Sequence, residues 1–129
     1  MSKAKLLVID DNLFIGKLMA SRLVANDYEV LIATNGIEGL KKAAEEKPDL
    51  ILLDFTMPDM DGIEVGTRLK NGNSTNNIPV IMVTARSEQA LILKAMESFA
   101  PAAYLAKPFN PEKLLSEVER ILKIKQDKQ

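Results

Sequence analysis

Residues 6–12 read Leu-Leu-Val-Ile-Asp-Asp-Asn: four apolar residues, then two carboxylates and an amide. A short apolar run suits a strand buried on both faces, and the polar trio marks its abrupt end. The same break recurs along the chain. The run 50–53 ends at Asp54, 80–83 at Thr84 and 103–106 at Lys107. Amphipathic stretches separate the runs, and alternating strand and helix signals mean a parallel sheet. The carboxyl ends of such strands line one crevice, where ligands bind. Asp10, Asp11, Asp54, Thr84 and Lys107 are therefore expected to converge, although they lie far apart in the chain.

The fold class is α/β, a flavodoxin-like doubly wound arrangement. Its five-stranded parallel sheet, in the order 2-1-3-4-5, has helices on both faces. Strands are expected near 5–9, 28–33, 49–53, 78–83 and 102–106, and helices near 12–25, 36–46, 62–70, 87–99 and 111–124. Capping signals agree. Asn35 with Glu38 and Asp61 with Glu64 have capping-box spacing, Asn110-Pro111 is a cap followed by a first-turn proline, and Ser87 suits the fourth helix. Pro48 and Pro101 stop the second and fourth helices. Leu114, Leu115, Val118, Ile121 and Leu122 form one stripe at helical spacing, read as core. The segment 71–77 reads as a polar surface loop.

The 129 residues fit one domain, with a core at about 4–123 and 124–129 as a fraying helix end or the start of a linker. A hydrophobic content of 47% permits a sizeable core, while a net charge of −1 gives no reason to expect nucleic acid. No apolar run is long enough for a membrane span, and no hydrophobic signal region precedes the first strand. Cysteine and histidine are both absent, which excludes disulfides, thiolate metal sites and a phosphohistidine. A cytoplasmic location is expected.

Adjacent carboxylates after a buried strand repel each other unless a cation or helix terminus compensates. By itself Asp10-Asp11-Asn12 also reads as a plain turn and cap, and Asp54 as a solvated strand end. Together the three carboxylates suggest a hard-cation site. With only oxygen ligands to offer, they select Mg²⁺, with Mn²⁺ as the second candidate. The turn Met57-Pro58-Asp59-Met60-Asp61-Gly62 would hold the loop beside Asp54. A Thr84 hydroxyl and a Lys107 ammonium suit a phosphoryl group. A cis peptide between Lys107 and Pro108 would turn the chain and aim the lysine inward.

Val8-Ile9-Asp10-Asp11-Asn12, Leu53-Asp54-Phe55-Thr56-Met57-Pro58 with Asp61-Gly62, Val83-Thr84-Ala85, and Tyr104-Leu105-Ala106-Lys107-Pro108-Phe109 resemble the receiver domains of two-component response regulators. The likeness runs from residue 4 to about 123 and points to a stand-alone, chemotaxis-regulator-like receiver. It implies that Asp54 accepts a phosphoryl group from a histidine kinase or histidine phosphotransfer protein. It implies that Asp11, Asp54 and the Thr56 carbonyl ligate Mg²⁺, with Asp10 acting through a metal-bound water. Lys107 would pair with the phosphoryl group. Thr84 and Tyr104 would form a switch that reshapes the face of helix 4, strand 5 and helix 5. On this reading the chain catalyses only its own phosphotransfer and autodephosphorylation, and is a monomer when unphosphorylated.

Other readings stand beside it. Tyr104 also reads as a half-buried strand residue, and Thr56 and Arg86 as indifferent rim residues. Phe14, Ile15 and Leu18 read either as core or as a docking patch for the phosphodonor. Many receivers carry Gly-Ala and two acidic residues before the strand-5 tyrosine. Phe99-Ala100-Pro101-Ala102-Ala103 stands there instead, so the salt-bridged dimer of the DNA-binding subfamilies is not expected. Alternative functions are a Mg²⁺ phosphohydrolase with Asp54 as nucleophile, an FMN carrier, or a receiver cut from a longer regulator. Thr56 sits where such a phosphatase wants a second acid. Asp10 and Asp11 would repel a flavin phosphate, and only Tyr28 and Tyr104 are available besides phenylalanine to stack on the ring.

Overall fold

The computed structural model describes residues 3–55, 61–84 and 89–127. Five strands and five helices alternate: β1 Lys5–Ile9, α1 Leu13–Val24, β2 Glu29–Ala33, α2 Gly36–Glu46, β3 Leu50–Asp54, α3 Gly62–Asn71, β4 Val80–Thr84, α4 Gln89–Ser98, β5 Ala103–Ala106 and α5 Pro111–Asp127. The strands form one parallel sheet in the order β2-β1-β3-β4-β5. This is the doubly wound order expected from the alternating runs. The last helix runs past the expected end at 124, through Asp127.

Side chains alternate between two cores, as the two-residue period of a strand requires. Leu6, Val8, Leu50, Leu52, Ile81 and Val83 pack beneath α1 and α5, with Met19, Leu23 and the α5 stripe. Leu7, Ile9, Ile51, Leu53, Val80 and Met82 pack beneath α2, α3 and α4. β3 and β4 are buried along their whole length, which explains why their sequences carry no polar alternation.

The helix ends follow local chemistry. Asn12, Asn35 and Asp61 accept from the backbone N–H three residues on, which satisfies donors that have no intrahelical partner. Asn110 accepts from the N–H groups of both Glu112 and Lys113. Two details depart from the capping-box expectation. Glu38 reaches the Thr34 N–H (2.7 Å) rather than that of the cap residue, and Glu64 pairs with Arg68, one turn further on. The proposed Ser87 cap lies outside the described residues. The 71–77 loop is not wholly at the surface. Thr75 is buried, and its hydroxyl donates to the Leu69 carbonyl (2.6 Å), closing the end of α3.

Candidate phosphoryl and metal site

Register brings the polar residues together. Ile9 pairs with Leu53, so Asp10 and Asp54 are the next residues on adjacent strands. Asp54 pairs with Val83 and Thr84 with Ala106, which places Thr84 and Lys107 at the same end. Strand alternation puts Asp10 in the row of Leu6 and Val8, and Asp54 in the row of Leu50 and Leu52. Both carboxylates thus fall on the α1–α5 side, along with Lys107, two residues after Leu105.

Contacts join three of these residues. Lys107 Nζ lies 3.0 Å from Asp10 Oδ2 and 3.1 Å from Asp54 Oδ1. Asp10 and Asp54 are almost fully buried, at 0% and 2% exposure. Two buried carboxylates sharing one ammonium is a tolerable arrangement, because a buried charge without a partner is strongly destabilising. The other Asp10 oxygen, Oδ1, accepts from the Asn12 N–H (2.9 Å), so the start of α1 also stabilises it. Partial burial works against the charge on Lys107. Hydrogen bonds to Asp10 and Asp54 outweigh it and hold the lysine pKa above its ordinary value.

The backbone completes the frame. Lys107 N–H donates to Thr84 O (2.7 Å), and the Lys107–Pro108 peptide is cis. Thr84 is buried, while Tyr104 is 51% exposed on β5. Gly62 opens α3 against Phe55, and a Cβ there would overlap the Phe55 ring. Thr56, Arg86 and the 57–60 turn lie outside the described residues.

The donor set fits a hard divalent cation. Asp10, Asp11 and Asp54 each offer a carboxylate oxygen, and these oxygens lie within 4.8 Å of one another. Asp11 is exposed where its neighbour is buried, so the three carboxylates form a cluster open on one side. Three carboxylates against one ammonium leave two formal negative charges, the charge that one divalent ion neutralises. Oxygen donors alone are the set that Mg²⁺ prefers.

A model of the response regulator receiver domain matches residues 6–119. The chain belongs to the response-regulator receiver family. It is 40% identical over 119 residues to the alkaline phosphatase synthesis transcriptional regulatory protein PhoP of Bacillus subtilis, covering 92% of this chain and 48% of that protein. It is 34% identical over 120 residues to the chemotaxis protein CheY of Listeria monocytogenes, covering 92% of this chain and 98% of that one. A CheY-like receiver structure from Methanospirillum hungatei superposes with a TM-score of 0.90 at 29% identity, covering 97% of this chain and 98% of that one. The chain spans about half the length of curated relatives such as PhoP. Receivers work in two-component signalling and bind Mg²⁺ through an acidic pocket; in this chain Asp10, Asp11 and Asp54 form a cluster that could hold such an ion.

The residues of the candidate docking patch differ in exposure. Phe14 and Leu18 are exposed, at 69% and 42%, whereas Ile15 is half-buried and packs on the core. Met19 is core. Ile15 and Leu18 line a cavity of about 270 Å³ together with Arg22, Lys107, Phe109 and Pro111. Arg22 escaped the sequence reading, although it follows Leu18 by four residues and so shares its helix face. Phe109 and Pro111 join the patch only through the turn after Lys107. Among the described residues, no helix is long and apolar enough to cross a membrane.

Proposed function

We propose that this receiver takes a phosphoryl group on Asp54 from a phosphohistidine of a partner protein. The supporting observation is the Asp10–Lys107–Asp54 cluster: a buried carboxylate held at a strand end, with an ammonium 3.1 Å away. An Asp54 oxygen attacks phosphorus, the phosphorus–nitrogen bond to histidine breaks, and the freed imidazole takes up a proton. The chain contributes position and charge, which such transfers mainly require. β3 fixes the nucleophile. Lys107 keeps its bond to Asp10 and turns its remaining donors to the phosphoryl oxygens. Asp11, Asp54 and the backbone of Thr56 would hold Mg²⁺, which when bound neutralises charge on the transferred group.

The donor protein docks on the cavity between α1 and the 107–111 turn, which opens beside Lys107. Phe14, exposed one residue before Ile15 on α1, offers the partner a further apolar contact. After transfer, Thr84 reaches toward the phosphoryl group and Tyr104 turns inward. This alters a face that carries the exposed Leu93, Met96 and Tyr104. The chain acts as one receiver unit in the cytoplasm, a monomer before phosphorylation. Its chemistry is limited to its own phosphorylation and dephosphorylation, and its output passes to another protein.

Acetyl phosphate with Mg²⁺ tests the assignment. Intact-mass measurement should show one added phosphoryl group on the wild type and none on Asp54→Asn. The same adduct on Asp54→Asn places the phosphate elsewhere and refutes it.

A further inference from the structure

The α2–α4 side of the sheet contains an aromatic pair that begins one residue after Asp54. The Phe55 and Phe99 rings lie 5.9 Å apart between centroids and are tilted by 36°. Both residues are buried. Phe55 follows the last residue of β3, and Phe99 follows the last residue of α4. Beside Phe99 lie Val80 and Ala102, at the amino ends of β4 and β5. The pair therefore runs from the phosphoacceptor end of the sheet toward the opposite end.

Both rings depend on glycine in α3. A Cβ at Gly62 would overlap the Phe55 ring, and a Cβ at Gly66 would stand 2.5 Å from Cδ1 and Cε1 of Phe99. Gly62 and Gly66 are four residues apart and share one helix face. α3 thus offers a strip of bare backbone that receives two rings. Groups packed this closely shift between discrete arrangements rather than deforming smoothly. Next to Phe99 is an open pocket of about 210 Å³, lined by Leu69, Ile78 and Val80 and by the polar Lys70, Asn76 and Asn77.

We infer that Phe99 is a positioning residue, and that the Phe55–Phe99 pair carries the state of Asp54 to the C-terminal end of α4, separately from Thr84 and Tyr104. This rests on the reading of Asp54 as phosphoacceptor. Phosphorylation adds bulk and charge beside the Asp54–Phe55 peptide. The Phe55 N–H is tied to Val83 O (3.1 Å), so its backbone is held and its ring is the part that yields. That ring touches Gly62 and faces Phe99. Movement of Phe99 carries Ala100 with it, at a left-handed φ of 51°, and so the connection into β5.

NMR of ring-labelled protein, with and without Mg²⁺ and beryllofluoride, reads the pair in the unaltered chain. The Phe55 and Phe99 ring signals should shift together with the amides of 95–98. Phe99→Leu keeps the site apolar. In this variant the 95–98 shifts should fall by half or more, while the Tyr104 shift keeps its wild-type size. Three results overturn the inference. Unmoved Phe99 ring signals beside a clear shift at Lys107 do so and leave the phosphoacceptor reading intact. Full-sized 95–98 shifts in Phe99→Leu do the same. Absence of any beryllofluoride-dependent shift, at Lys107 included, refutes the phosphoacceptor reading and this inference with it. The wild-type arm decides even where the variant fails to fold.

Discussion

One step along each of three strands separates two kinds of buried residue. Ile9, Leu53 and Val83 are fully buried and apolar; Asp10, Asp54 and Thr84, the next residues, are nearly as buried and polar. The first row holds the sheet to its helices through the hydrophobic effect. The second gains little from burial, since a carboxylate loses its water shell there and must recover it from a cation and from N–H donors. The difference locates function: rigid apolar packing up to one residue, then a polar row that the packing holds still. The polar row is also electrically incomplete. Lys107 serves Asp10 and Asp54 at once, and Asp11 adds a third carboxylate.

Substitutions can break this contrast from either side. Leu52→Ala strikes the apolar row, where Leu52 is fully buried. It should destabilise by roughly 2–5 kcal/mol, read by urea or thermal unfolding, with no dependence on Mg²⁺. A loss under about 1 kcal/mol, or rescue by the ion, erases the distinction between rows. Lys107→Met strikes the polar row. Because Lys107 is 19% exposed, the full penalty of a broken buried pair does not apply. About 1–3 kcal/mol should be lost in EDTA, and millimolar Mg²⁺ should restore much of it. Equal losses with and without the ion mean that the carboxylates do not share a cation site.

The smallest effect lies at the other end of the sheet. Ala100 holds φ 51°, a conformation that favours glycine. Ala100→Gly should stabilise by about 0.5 kcal/mol, relief of the left-handed cost exceeding the added entropy of glycine. It should leave Mg²⁺ binding unchanged. Destabilisation in the same unfolding assay contradicts this.

The row boundary was readable because the chemistry changes at single positions, 9 to 10, 53 to 54 and 83 to 84. A parallel sheet followed from the alternation of elements, and the order 2-1-3-4-5 from what five such units take. Other features were hidden for physical reasons. Asp10 and Asp11 look equivalent as a pair, but strand alternation buries one and exposes the other. Thr75 reads as loop until the end of α3 presents the Leu69 carbonyl to it. The Phe55–Phe99 pair depends on how the ends of β3 and α4 meet two glycines of α3, Gly62 and Gly66, a long-range fit with no local signature. Phe109 and Pro111 reach the cavity beside Lys107 only through the turn that follows it, while Arg22 reaches it from α1.

The most direct test of the polar row is melting in Mg²⁺ and in EDTA, for the wild type and for Asp11→Ala. At a free ion concentration of 100 times Kd, one site adds roughly 2.7 kcal/mol. The wild-type melting temperature should therefore rise by several degrees with Mg²⁺, while that of Asp11→Ala stays put. No shift in the wild type at millimolar Mg²⁺, or an equal shift in both proteins, contradicts a metal site built on Asp10, Asp11 and Asp54.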